Sequence, residues 1–343
     1  MGGKQGDISR LTAPLPQVHF IPTHTHQELQ KALSDSQILI MNGSEFSPEI
    51  GQIVRASPSL RWIQFTSSGL DGVLKHGGVP ASIITTNVAG LRAGNLSEHA
   101  FGMLLFLTRQ LRAVEQARLT QSWIKQDIFP ALRSLQGQTM LIIGMGAIGQ
   151  AMAIKARAFG MHVLAVSRGY KSDDELTRIY PREQLLEAIP LADVIMMSVP
   201  SDASTRHLLS RAAFNVMKRE AIVLNVARGD VIDEQAMIEA LQSRRIFAAG
   251  LDVMEEEPLP KESPLWHLDN VLVTPHIGGA GSDQLGQLLD EPGIVFGATD
   301  GGHHARPIQQ GGGVARVTGG ESLGTQHHIG DLPTLIQAAD HIG

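Results

Sequence analysis

Between residues 138 and 277 six almost uninterrupted apolar runs follow one another: "TMLIIG", "MHVLAVS", "DVIMMSV", "AIVLNVA", "AAGLDV" and "NVLVTP". Helix or turn residues separate each from the next. Runs without polar alternation suit strands buried on both faces, and strands alternating with helices build a parallel sheet. One reading covers the whole stretch: a doubly wound α/β domain, in which ligands gather outside the carboxyl ends of the strands.

The first of these strands runs straight into Gly144, Gly146 and Gly149, a G-x-G-x-x-G at the start of a helix. Gly144 permits the tight turn, Gly146 lets a pyrophosphate approach the backbone, and Gly149 lets helix and strand pack closely. Amides around Ala147 and Ile148 then face the phosphates at the positive end of the helix. The next strand ends in Ser167-Arg168, where a site for NAD places an acid that holds the ribose hydroxyls. An acid repels a 2′-phosphate, whereas Ser167 can donate to it and Arg168 can pair with it and stack on adenine. NADP(H) is therefore the expected cofactor. If Arg168 is only a solvated surface residue, as Lys171 is expected to be, NAD(H) serves as well.

The first hundred residues read as short strands, "VHFI" (18–21), "QILIM" (37–41), "RWIQF" (61–65) and "SIITTN" (82–87), with helical segments at 27–33 and 48–56. Their alternation predicts a second parallel sheet. From Asn95 a capping-box-like pair with Glu98 opens about twenty residues of helical period ending near Ala117. Beyond Pro292 glycines and paired histidines (His303-His304, His327-His328) replace apolar periodicity, so no packed structure is expected there except a short helix near the end. None of these histidines, nor His24 and His26, has metal-ligand spacing on a definable element, and all are read as exposed.

Composition removes other classes of function. A formal charge of −6 offers no general attraction to nucleic acid or an anionic membrane. With no cysteine there is no thiolate nucleophile, disulfide or thiolate-bound metal, and a reducing compartment fits. The longest apolar run, 101–107, is too short to span a bilayer, and the first thirty residues lack a basic segment followed by an apolar one. A cytoplasmic protein without membrane or nucleic-acid partners is expected.

Three stretches put ionisable groups just after apolar strands: "NVARGD" (225–230), "LDVMEEEP" (251–258) and "VTPHIGG" (273–279). Reducing a ketone with a hydride needs a grip on the substrate's carboxylate, a proton for the forming alkoxide and a group tuning that donor. Arg228 offers a fork for carboxylate and carbonyl. His276 titrates near neutrality. A carboxylate beside it stabilises imidazolium and orients the ring.

These stretches, with "SSGLDGV", "SEHAFGMLL", "SVPSDASTRHLL", "NVARGDVIDEQAMIEAL", "GLDVMEEEPLP" and "SPLWHLDNVLVTPHIGG" in that order, resemble the D-isomer-specific 2-hydroxyacid dehydrogenase family over residues 37–281. The resemblance implies a catalytic set of Arg228, Glu257 and His276. Glu257 is chosen because the family's acid directly precedes proline; Glu255 and Glu256 are then read as a solvated acidic loop. It implies that backbone amides of Ser68 and Gly69 hold the substrate carboxylate, together with Arg228 and His276. It further implies that Val199, Pro200, Thr205, Ala227 and Asp252 line the cofactor, Asp252 near the nicotinamide amide. Leu70, Arg92 and Trp266 are further candidate substrate contacts.

The fold implied is a Rossmann cofactor domain inserted into a smaller flavodoxin-like α/β substrate domain. Residues 1–107 begin the substrate domain, 108–277 form the dinucleotide-binding domain, 278–291 return to the substrate domain, and 292–343 are the tail, where the family's continuation is not matched. The activity implied is reduction of a small 2-oxo acid, such as glyoxylate or hydroxypyruvate, to the 2-hydroxy acid, by a homodimer formed through residues 95–117. The alternatives on the same fold are a dinucleotide-sensing binding protein or corepressor, and a formate- or phosphite-type dehydrogenase, which favours NAD and an acid at the Ser167 position.

Overall fold

The computed structural model describes residues 21–168, 177–281 and the pair Gly297–Ala298. Outside them lie most of the strand expected at 18–21, Lys171, the return segment from Ser282 and, apart from that pair, the tail. The chain divides into two compact units, one formed by the described residues up to Leu91 with Gly297–Ala298, the other by Arg92–Gly281.

The second unit is a seven-stranded sheet in the order β10-β9-β8-β7-β4-β5-β6, parallel throughout. Its strands are β4 (Thr139–Ile143), β5 (His162–Val166), β6 (Thr177–Tyr180), β7 (Val194–Met197), β8 (Ile222–Asn225), β9 (Ala248–Leu251) and β10 (Val271–Val273). All six apolar runs form strands, and the missed β6 is a short edge strand pairing with β5. Alternate residues enter different cores. Met140 and Ile142 pack on one face with Met152, Ala156 and Leu104, whereas Leu141 and Ile143 pack on the other with Phe214, Met237 and Leu241. A strand buried on both faces has no polar side to alternate with, which explains the uninterrupted runs. The chain leaves β4 towards β5 and β6 on one side and later returns to β7 on the other, so the order reverses between β4 and β7. That reversal opens a crevice at the carboxyl ends of the two strands.

Helix Ala93–Thr108 packs on helix Ala147–Ala158 and on β8, β9 and β10. It buries Ala100, Phe101, Met103, Leu104 and Leu107, the four larger side chains each worth about 1.5–3 kcal/mol when fully covered. This burial moves the division of the chain to 91/92, where sequence reading puts it at 107/108. The helix also begins earlier and ends sooner than expected. Its N-cap is Arg92 without a side-chain cap, and Asn95 instead donates to Ala280 O at 3.4 Å. Gln110 adopts a left-handed conformation (φ 54°) and separates it from a second helix, Leu111–Leu119.

In the first unit β1 (Ile38–Met41), β2 (Trp62–Phe65) and β3 (Ile84–Asn87) are parallel, and β11 (Gly297–Ala298) pairs antiparallel with β3, a departure from an all-parallel sheet. Helix Pro48–Ala56 starts at Ser47, whose hydroxyl accepts from Ile50 N, and turns Ile50 and Val54 into a core with Leu60, Ile63 and Phe65.

Candidate active site

Each glycine of the fingerprint answers to a different constraint. Gly144 sits at φ +103°, and a Cβ there would lie 2.6 Å from Ser198 O. A Cβ on Gly149 would fall 2.1 Å from Gly144 O, so helix Ala147–Ala158 approaches its strand only because none is there. A Cβ on Gly146 meets nothing within 4 Å, which leaves open space against the uncapped first turn of that helix. Bare amides facing open space are what a pyrophosphate requires, so these residues fit a dinucleotide.

Ser167 and Arg168 follow β5, and Arg168 is half exposed. Its Nη2 stands 3.9 Å from Asp202 Oδ2. Burial opposes the charge on Asp202, but hydrogen bonds from Ser204 and Thr205, with the charge of Arg168, outweigh it and hold the carboxyl below its ordinary range. An acid therefore does face Arg168, from the turn after β7. Val199, on that turn, packs against Gly144, and Pro200 is exposed. Thr205 is only 2% exposed; its hydroxyl donates to Pro200 O at 2.7 Å and accepts from Asp202 N at 2.7 Å. Its hydroxyl shapes the turn.

Arg228 follows β8 on a turn that Asn225 holds closed. Asn225 Nδ2 donates to Arg228 O at 2.7 Å, and its Oδ1 accepts from Ala227 N at 3.0 Å. Arg228 Nη1 donates to Ala227 O at 2.6 Å. The next residue locks this turn to the loop after β9: a Cβ on Gly229 would lie 1.9 Å from both Met254 C and Met254 O. That loop carries Glu257, whose Oε1 accepts from Met254 N at 3.0 Å while Oε2 lies 2.7 Å from His276 Nδ1. Three loops, from three neighbouring strands, thus converge on one spot.

The charges there support one another. Burial alone would push the Glu257 carboxyl up. The hydrogen bonds from His276 and Met254, with the positive charges of His276 and Arg228, instead hold it below its usual range. The same hydrogen bond raises His276 above the ordinary imidazole value, against desolvation and the charge of Arg228. Arg228 is therefore near enough to act on both partners. An imidazole whose hold on its proton is strengthened by a carboxylate can donate to an oxyanion, and the guanidinium beside it can grip a carboxylate.

Asp252 is 1% exposed, with its oxygens engaged by Thr274 Oγ1 (2.6 Å), Ile277 N (3.0 Å) and Gly278 N (2.8 Å). Glu255, expected to be solvated, is exposed; its carboxylate pairs with His207, and its backbone N–H donates to Glu234 at 3.0 Å. Glu256 is exposed. Arg92 packs against Gly279 in the turn after His276, and Trp266 is half exposed. Ser68, Gly69 and Leu70 belong to the first unit. There Ser67 Oγ accepts from Gly43 N (2.9 Å) and donates to Gly69 O (3.0 Å), while Asn87 Nδ2 donates to Ser68 O (3.3 Å), so the turn is braced.

Sequence reading missed Asn225, Gly229, His99 and His207. The signal for Asn225 was present, since it is the one polar residue closing an apolar strand; nothing local marked the others. Among the described residues no group of three His, Asp or Glu side chains is gathered to hold a metal, and no helix is long and apolar enough to cross a membrane.

Comparison with known proteins places the chain in a family. Residues 101–278 match the family model described as D-isomer specific 2-hydroxyacid dehydrogenase, NAD binding domain. The chain is 30% identical, over 80% of its length, to D-3-phosphoglycerate dehydrogenase of Methanocaldococcus jannaschii, and spans 52% of that protein. It is 32% identical to glyoxylate reductase of Pyrococcus furiosus, covering 74% of this chain and 76% of the other. The crystal structure of a D-isomer specific 2-hydroxyacid dehydrogenase family protein from Aeromonas salmonicida superposes with a TM-score of 0.72 at 31% identity, covering 82% of this chain and 88% of that one.

Proposed function

The chain belongs to the D-isomer specific 2-hydroxyacid dehydrogenase family of nicotinamide-dependent oxidoreductases, and on that premise we propose that it reduces a small 2-oxo acid, of the glyoxylate or hydroxypyruvate kind, to the 2-hydroxy acid with NADPH. The observation that carries this reading is the 2.7 Å contact of His276 with Glu257, under the charge of Arg228. The P. furiosus relative named glyoxylate reductase supports the substrate class.

Gly146 and the amides of Ala147 and Ile148 would hold the pyrophosphate, Ser167 and Arg168 the 2′-phosphate, and Val199 and Ala227 would flank the nicotinamide half. Bound NADPH supplies the hydride. Arg228 grips the substrate carboxylate and polarises the carbonyl. His276 gives its proton to the oxygen that gains charge, and Glu257 stabilises the imidazolium beforehand and holds Nδ1, leaving Nε2 for the substrate.

Leu111, Val114, Leu119, Trp123 and Phe129 are exposed, Trp123 to 92%. A surface of this kind is suited to a second copy of the chain, which supports the homodimer. A cysteine-free chain suits the reducing cytoplasm.

The test is a panel of 2-oxo acids assayed with NADPH and NADH in parallel. Turnover of glyoxylate or hydroxypyruvate with NADPH is expected. Turnover with NADH alone removes the Ser167-Arg168 argument, and silence with every acid replaces the enzyme by a dinucleotide sensor.

A further inference from the structure

His276 sits in the left-handed region at φ +54°, which is costly for a residue with a Cβ and persists only where the surroundings dictate it. What dictates it is a buried carboxylate. Asp252 receives Thr274 Oγ1 and Ile277 N on one oxygen and Gly278 N on the other, and its own carbonyl accepts from His276 N at 2.8 Å. The whole turn 274–278 is wound around this one residue, so the ring of His276 points where Asp252 and its partners leave it.

The network has a further member on another element. His99, on helix Ala93–Thr108, places Nε2 at 2.9 Å from Thr274 Oγ1 and 3.3 Å from Asp252 Oδ1. Thr274 has one hydroxyl proton, and at 2.6 Å it goes to the carboxylate. Its oxygen then accepts from His99, so Nε2 of His99 carries a proton. A carboxylate with three donors, one of them held in place by His99, is satisfied in burial; one that loses a donor is not, and the cheapest relief is movement of the turn. Space there is already used up, since a Cβ on Gly278 would lie 2.8 Å from Asp252 Oδ2 and 3.0 Å from His99 Cδ2.

We infer that His99 and Thr274 are positioning residues, which act through the Asp252 carboxylate to hold His276 in register with Glu257. The inference rests on the reading of His276 as the proton donor, and it adds two residues to the set of Arg228, Glu257 and His276. Helix Ala93–Thr108 thereby becomes part of the site's scaffold.

The experiment uses the full chain and two readouts. One is kcat and KM for the 2-oxo acid with NADPH. The other is the titration of the His276 imidazole by NMR, assigned with His276→Gln, which needs no turnover. Thr274→Val and His99→Leu remove a donor each; Thr274→Ser and His99→Gln restore one. The valine and leucine variants are expected to lose roughly ten- to a hundredfold in kcat, the cost of a small misplacement of a catalytic group. The KM for NADPH is expected to hold, and the His276 midpoint to fall towards the ordinary value as Glu257 loses contact. The serine and glutamine variants are expected to recover most of both. A Thr274→Val chain with unchanged kcat and an unchanged His276 titration overturns the inference. If the parent chain turns over no 2-oxo acid, the functional reading fails, while the titration still decides the positioning role.

Discussion

Glu257 Oε2 lies 2.7 Å from His276 Nδ1, and each group shifts the other's protonation in the direction catalysis needs: the acid towards its ionised form and the imidazole towards its charged one. Reduction consumes the imidazolium proton, so kcat should be level at acid pH and fall as pH rises through the raised value of His276. Glu257→Gln removes both the charge and the ionic hydrogen bond. Its fall should come at lower pH, with kcat down about 10²-fold or more at neutrality. A kcat–pH profile of the two proteins checks this, and coincident midpoints would refute it.

The same pair links stability to pH. His276, raised when folded, contributes fully below its ordinary value of 6.5 and loses that contribution as pH rises through the folded value. Glu257, depressed when folded, contributes above 4.5 and loses it as pH falls through the folded value. Both side chains are partly exposed, so the pair is worth no more than about 1 kcal/mol. The difference in Tm between the chain and Glu257→Gln should be greatest between about pH 5 and 6.5 and shrink on either side.

Two glycines near the site should respond differently to the same substitution. Gly229→Ala drives a Cβ into the Met254 carbonyl group, 1.9 Å away, and should cost several kcal/mol, about 2 to 4, in urea unfolding together with activity. Gly146→Ala meets nothing within 4 Å and should unfold like the parent, yet bind NADPH at least about tenfold more weakly because its Cβ takes pyrophosphate space. Equal losses of stability in both would show that the open space beside Gly146 is not a ligand's.

Arg168 and Asp202 should set cofactor preference against each other. At 3.9 Å the carboxylate draws on the guanidinium that a 2′-phosphate needs. Asp202→Asn should lower the KM for NADPH several-fold and leave that for NADH alone, whereas Arg168→Ala should raise the KM for NADPH about tenfold, the worth of one charge-assisted contact. Initial rates with both cofactors test this, and parallel changes in the two KM values would discard it.

The six strands of the second unit and the loops of Arg228, Glu257 and His276 were legible because a sheet buried on both faces leaves long apolar runs, each ending in a polar residue. Strand β6 was not, since an edge strand of four residues such as "TRIY" has no such run. The break at Gln110 carried no glycine or proline to mark it. Asp202 and His99 escaped because their partners are distant in sequence, Arg168 by 34 residues and Thr274 by 175. Periodicity reports what an element buries; it is silent on which turn reaches across to which.

The decisive measurement is the rate of NADPH oxidation when glyoxylate or hydroxypyruvate is added to the parent chain and to His276→Gln, with NADPH binding measured alongside. The parent should turn over, and the variant should bind NADPH as well but reduce the acid at least about 10²-fold more slowly. A variant that reduces the acid as fast as the parent would contradict the assignment of His276 as proton donor, and with it the proposed chemistry.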